Sequence, residues 1–237
     1  MRFGKSDKIQ FISTVEGLES IEECLPRPAK HFIPSWFKDI PSQADYAFTV
    51  KNCPSFPDYF SQGYIIPMWT DVEIVSDGDN WNWKTPLSEI SWDSHSNNQF
   101  LDYTNAKFNG VDGQFVFKAV SPWRIITPPG WSVLQLPLFY HFNQEWSVLP
   151  GVIDTDVYSE TNQQVLYHGN GKPVVIKCGD PFVLYIPFKR SNKLKHTIRY
   201  QTEKDKKLFK KHNLEINSSF RLNGNYREVQ RKRDKQL

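Results

Sequence analysis

Asp154 and Asp156 stand two residues apart in Gly151-Val152-Ile153-Asp154-Thr155-Asp156. On a strand, that spacing puts both carboxylates on one face, where a pair could hold a cation or act as acid and base. In a hairpin turn the same residues would instead accept hydrogen bonds from backbone amides. His95 and Gln99, four apart, would share a face if their segment were helical, and with Asp71 or Asp154 they could line a pocket. The other reading has His95 closing a loop and Gln99 serving exposed backbone. Asp154, Asp156 and His95 form the candidate catalytic set.

Trp123, Trp131 and Tyr140 with Arg124 could build an aromatic cage or stacking platform; the plainer expectation makes Trp123 and Trp131 core plugs flanking a strand. Lys189 and Arg190, followed by Lys193 and Lys195, are the candidate anion contacts, or merely solvated cations. The phosphate-binding patterns GxxxxGK[ST] and GxGxxG, the zinc-protease pattern HExxH and the nucleophile elbow GxSxG do not occur. The six histidines are singly placed, and none opens a His-x-Asp or His-x-Glu iron motif. No metal site is expected, and nothing in the sequence specifies a cofactor.

The elements that must carry these residues read as short strands. Aromatic residues make up 15% of the chain, which contains 16 prolines; runs rich in rings and β-branched residues, cut by Pro and Gly, favour strands and turns over helical bundles. Strands are expected at Lys8–Thr14, Phe48–Lys51, Tyr64–Pro67, Thr70–Val75, Trp81–Lys84, Phe115–Ala119, Arg124–Thr127, Ser132–Leu138, Trp146–Leu149, Gly151–Tyr158, Val165–Tyr167, Val174–Lys177 and Phe182–Pro187. Asp77–Asn80, Pro128-Pro129-Gly130 and Lys177–Asp180 read as turns, and Glu89–Gln99 is ambiguous. Pro34 followed by Ser35–Asp39 predicts a short helix with proline in its first turn, stopped at Pro41, whose Trp36 and Phe37 would pin it to the body. Thr202–His212, with Asp205 three residues after Thr202, predicts a second, basic helix.

The 237 residues suit one large domain with an appendage. Residues 191–237 hold 14 Lys and Arg against five Asp and Glu, so residues 1–190 carry a net charge of −6. The sequence therefore divides into an N-terminal strand and proline-rich arm (1–47), a β body (48–190) and a basic, partly helical tail (191–237). That tail could meet nucleic acid, another anionic partner or the acidic body, or simply be solvated. Cys24, Cys53 and Cys178 are odd in number and widely spaced, which argues against a disulfide framework or a zinc ribbon and for a reducing compartment. No apolar run approaches the roughly 18 residues of a membrane span. The charged opening, Met1–Gln10, does not read as a secretory leader.

Pro129-Gly130-Trp131-Ser132-Val133-Leu134, then Gly151–Asp156, then Ile176–Pro181 follow an order that resembles the dUTP pyrophosphatase and dCTP deaminase superfamily, whose fold is the β-clip. The resemblance covers about 70 residues. It implies that Asp154 orients or activates an attacking water, and that Tyr158 stands where the family places a sugar-stacking tyrosine. Val157 is one residue more than the family pattern has, which turns that ring to the other face of a strand. The family's phosphate-binding Pro-Arg-Ser segment is here Leu136-Pro137-Leu138-Phe139-Tyr140, and its glycine-rich C-terminal lid has no good counterpart.

Pro28-Ala29-Lys30, Ile33–Lys38, Lys51–Pro54, Gly63–Pro67, His95 with Gln99, Ser121–Trp131, Gly151–Asp156 and Ile186–Arg190 also resemble a protein family of tailed phages of marine bacteria. This likeness, over roughly residues 8 to 200, implies an origin rather than a reaction. The expectation is a mainly β protein, a β-clip or jelly-roll-like barrel or sandwich with an N-terminal arm and a short basic C-terminal helix. Its expected role is binding or structural, in the infected host cytoplasm or the virion, without an intact nucleotidohydrolase site. The alternative is an enzyme acting on a small molecule or nucleotide near Asp154. The superfamily implies a homo-oligomer, a trimer by analogy; nucleic acid is a possible partner of the tail, and a membrane is not.

Overall fold

The computed structural model describes residues 8–77, 80–87, 91–95, 115–169, 171–191, 195–217 and 228–232. The early strands are β1 (Gln10–Ser13), β2 (Arg27–Pro28), β3 (Gln43–Ala44), β4 (Ala47–Phe48), β5 (Tyr64–Pro67), β6 (Val72–Ser76), β7 (Trp81–Lys84) and β8 (Trp92–His95). The later ones are β9 (Phe115–Val120), β10 (Trp123–Ile126), β11 (Trp131–Leu136), β12 (Trp146–Val148), β13 (Gly151–Ile153), β14 (Asn162–Tyr167), β15 (Val174–Ile176) and β16 (Pro181–Lys189). The helices include α1 (Ser35–Asp39), α2 (Ser55–Phe60) and α3 (Glu203–Asn217), and residues 228–232 are helical too. The fold is mainly β, as predicted, and the chain forms two compact units.

The first unit takes in residues 1–32 and 62–192. It is the β body. Its largest sheet has the order β13-β11-β16-β5-β2, its second β12-β14-β9-β8 and its third β15-β6-β7, while β1 pairs with β10. All described pairings are antiparallel. The three sheets and the β1–β10 ribbon share one apolar cluster, to which Val133 and Val183, Phe117 and Val165, Ile74 and Ile176, and Trp123 and Ile125 all belong. The alternation in β6 shows why: Val72, Ile74 and Ser76 are buried while Glu73 and Val75 are less so, the period of two that a half-buried strand demands. The first strand belongs to this body rather than to an arm. It spans four residues rather than seven and pairs with β10 from Gln10↔Ile126 to Ser13↔Trp123.

The second unit takes in residues 33–61 and 193–237. Here α1 ends before Pro41, as predicted. The rings of Trp36 and Phe37 pack on Phe56, and Phe37 on Phe60, so these aromatics form a core of their own with α2. Lys51 Nζ donates to the Phe37 and Lys38 carbonyls, 2.8 Å each, satisfying acceptors at the C-terminal end of α1. Residues 50–52 form a 3-10 turn where a strand was expected. The Thr202 amide donates to Asp205 Oδ2 (2.7 Å) and the Asp205 amide to Thr202 Oγ1 (3.3 Å), the reciprocal cap expected from the sequence. The basic helix extends beyond His212 to Asn217.

Candidate functional site

The site follows from strand register. Strand β11 lies between β13 and β16, with Val133 opposite Ile153 and Trp131 opposite Lys189. Continuing both ladders brings Asp154 beside Ser132, and both Asp156 and Arg190 beside Gly130. Gly130 has φ +84° and completes the Pro128-Pro129-Gly130 turn, with the Trp131 amide donating to the Pro128 carbonyl at 3.1 Å. A left-handed residue is needed there, and glycine adopts that conformation without a Cβ penalty.

Arg190 reaches into this junction. Its Nη1 donates to Asp156 Oδ1 (2.7 Å), Ser132 Oγ (3.0 Å) and the Trp131 carbonyl (2.9 Å), and its Nη2 to Asp156 Oδ2 (2.6 Å). Such a bidentate fork is the strongest common form of ion pair. The Gly130 amide also donates to Asp156 Oδ2, at 2.7 Å. The Arg190 hydrogen bonds and then the Gly130 amide hold the Asp156 carboxyl down at about 2. Asp156 in turn raises Arg190 above its ordinary value.

Asp154 is placed differently. Ser132 Oγ donates to its Oδ1 at 2.5 Å, and Arg190 Nη1 lies 3.3 Å from the same oxygen. Its side chain is 54% exposed, against 8% for Asp156. The two aspartates do not share a strand face, because β13 ends at Ile153. They occupy a turn, with the amides of Val157 and Tyr158 both donating to the Asp154 carbonyl at 2.9 Å. Between them Thr155 is buried and its hydroxyl meets Thr127 Oγ1 at 2.8 Å. The result is an anchored, half-exposed carboxylate that can accept hydrogen bonds from a ligand, beside one committed to structure.

The remaining candidates disperse. His95 ends β8, an edge strand of the four-stranded sheet, opposite Val116, whereas Asp154 follows β13 at an edge of the five-stranded one. The proposed trio is thus not assembled from one sheet, and Gln99 lies outside the described residues, as does Lys193. Trp123 is 2% exposed in the core, so it cannot join a cage; Arg124 pairs with Glu160 at 2.7 Å. Trp131 is half-buried and carries the Lys189 ammonium 5.3 Å from its ring centroid. Tyr140 packs edge-on against Phe139 and Phe142. Tyr158 is exposed. Arg190 is an internal clamp rather than an anion contact. Sequence reasoning missed Ser132 and Gly130 as partners of the aspartates; the Pro-Pro-Gly turn marked their place, but only pairing register shows what they face.

A separate cavity of about 490 Å³ is lined by Pro137, Phe139, Phe142, Glu145, Ser147 and Pro181, among others. Its described lining holds no Lys or Arg. Of the segment 136–140, Pro137, Leu138 and Phe139 give this cavity its apolar wall. Among the described residues, no group of three or more His, Cys, Asp or Glu is arranged to hold a metal ion, and no helix is long and apolar enough to cross a membrane.

No protein-family model matches the sequence, and no curated protein matches it. Solved structures that it resembles include the dUTPase of Staphylococcus bacteriophage 80alpha, at 8% identity and a TM-score of 0.38 over 83% of this chain and 100% of that one. The dUTPase from phage phi11 of S. aureus gives 10% identity and a TM-score of 0.37 over 82% and 99%. The EIAV dUTPase gives 13% and 0.31 over 60% and 86%.

Proposed function

We propose that this chain is a binding or structural protein, phage-encoded, that keeps a β-clip-like body without the cationic set a triphosphate requires. One observation carries the reading: the guanidinium beside Asp154 is spent on Asp156, Ser132 and the Trp131 carbonyl. A triphosphate needs several free cationic or amide donors, and segment 136–140 supplies none of its side chains as such. Asp154, with the exposed Val157 and Tyr158 of the same turn, is then a contact for a ligand or partner bearing hydrogen-bond donors. The outward-facing Val152, Val157 and Tyr158 suit self-association, which light scattering of the purified protein measures. The setting is the infected cell or the virion.

The test is pyrophosphate and phosphate release from the canonical nucleoside triphosphates, with and without Mg²⁺. The expected result is no turnover above buffer. A second reading, an enzyme with a remodelled site, draws on the Ser132–Asp154 hydrogen bond, which fixes a half-exposed carboxylate. Turnover that Asp154→Asn abolishes, with folding intact by circular dichroism, would establish it and overturn the first. A role for the basic tail in nucleic-acid binding would appear as affinity that falls steeply with salt.

A further inference from the structure

Cys24 and Cys178 are 154 residues apart in sequence, yet their Sγ atoms lie 2.7 Å apart, within roughly an ångström of disulfide bonding distance. Both thiols are free, and both belong to the β body.

Each is held in place from its own side. Cys24 ends the 3-10 turn Glu22–Cys24 and is fully buried. Cys178 sits in the turn before β16. Its amide donates to Asp71 Oδ1 at 2.8 Å, and Lys177 Nζ pairs with Asp71 at 3.3 Å. The Gly179 amide donates to the Met68 carbonyl and the Met68 amide to the Asp180 carbonyl, 2.8 Å each. The two turns also touch at the next residue. A Cβ on Gly179, whose φ is +85°, would lie 3.1 Å from Glu23 Cβ, so glycine permits the approach. On the other side the Cys24 amide donates to the Ile21 carbonyl at 3.0 Å, so both turns that carry the sulfurs are anchored by their own backbone hydrogen bonds.

We propose that Cys24 and Cys178 are a covalent modification site, a dithiol that closes to an intramolecular disulfide on reaction with a small disulfide oxidant of the oxidised-glutathione class. Cys178 is the half-buried, accessible member. Its thiolate attacks one sulfur of the oxidant, the oxidant's S–S bond breaks, and one small thiolate leaves. Cys24 then gives up its proton and attacks Cys178 Sγ. The mixed disulfide breaks and the second small thiolate leaves. Two protein thiols are oxidised, one disulfide is reduced to two thiols, and the two protons pass to the departing thiolates. Burial, then the hydrogen bond to Cys178, pushes the Cys24 thiol up to about 12, so the closing step, which needs the Cys24 thiolate, accelerates as pH rises.

The crosslink ties the N-terminal segment to the turn that starts β16, the strand whose other end leads to Arg190. Closing so long a loop restricts the unfolded chain strongly.

The full-length protein, reduced and freed of reductant, is incubated with oxidised glutathione, quenched in acid, denatured and alkylated. The expected mass shows one alkylated cysteine instead of three, with no retained glutathione, and peptide mapping finds the 24–178 linkage. The unfolding midpoint rises by at least about 5 °C and returns to its starting value with dithiothreitol. Cys178→Ser, at the accessible position, leaves two alkylatable cysteines and abolishes the shift. Three alkylated cysteines after oxidation, a glutathione adduct that persists on Cys178, or a linkage through Cys53 would each overturn the proposal.

Discussion

Asp156 takes both prongs of the Arg190 guanidinium, at 2.7 and 2.6 Å, while Asp154, two residues earlier, meets the same arginine at one oxygen only, 3.3 Å away. One guanidinium thus divides two neighbouring carboxylates between different tasks. Asp156 closes the junction of β11, β13 and β16; Asp154 keeps about half of its side chain exposed.

That division predicts unequal consequences. Asp156→Ala strands Arg190 beside the Trp131 carbonyl and is expected to lower the thermal midpoint by several degrees. Asp154→Ala removes a half-exposed group and is expected to move it by no more than a degree or two. Equal shifts in differential scanning fluorimetry would contradict the assignment.

Acid should release the same clamp. Asp156 titrates at about 2 in the folded protein, below the roughly 3.9 of an unfolded aspartate. A depressed folded value means that the unfolded state takes up the proton first as pH falls. The stabilisation is therefore full above about pH 4 and drains away between about pH 4 and pH 2. Asp156→Asn is expected to flatten that part of the stability profile, measured by denaturant unfolding at stepped pH.

Tyr185 lies at the centre of a buried polar chain. Gln163 Nε2 donates to its hydroxyl at 2.6 Å, the hydroxyl donates to Gln135 Oε1 at 2.8 Å, and Gln135 Nε2 donates to the Leu149 carbonyl at 2.9 Å. Tyr185→Phe deletes one oxygen and costs two hydrogen bonds among wholly buried groups. A loss of about 1–3 kcal/mol in urea unfolding is expected. A neutral result would mean that the glutamines find other partners.

Two glycines with similar backbones should respond differently. Gly63 has φ +68°, and a Cβ there would collide with the Tyr185 carbonyl oxygen. Gly130 has φ +84° with nothing in its way. Gly130→Ala should cost only the left-handed strain, about 1–2 kcal/mol. Gly63→Ala adds backbone displacement between β5 and β16 and is expected to give poor soluble yield or a much lower midpoint.

The β body was legible because its strands carry local signals. Val72-Glu73-Ile74-Val75 alternates, and the turns at Lys177–Asp180 and Pro128–Gly130 are written in Gly, Pro and Asp. The Thr202–Asp205 cap was legible for the same reason. Gly151–Tyr158 misled, because β propensity continues through Val157 and Tyr158 while backbone bonds to the Asp154 carbonyl curl the chain into a turn. The partnership of Asp156 with Arg190 was not legible at all, since it depends on two ladders meeting at Gly130. Nor could the spacing of Cys24 and Cys178 reveal that the two sulfurs meet. Trp123 could be read as a cage wall or a core plug, and only burial decides between them.

The place of β16 bears on how the chain is made. It is the last strand of the body in sequence but the middle strand of the largest sheet, hydrogen-bonded to β11 on one side and β5 on the other. A nascent chain that has emerged only as far as β15 holds β5 and β11 without the strand that joins them, each presenting an open edge. Pairings such as β1 with β10 and β6 with β15 close loops of about a hundred residues, which slows assembly. Completion must therefore wait until Lys189 has cleared the ribosome, and until then the unpaired edges are the part of the molecule most in need of a chaperone.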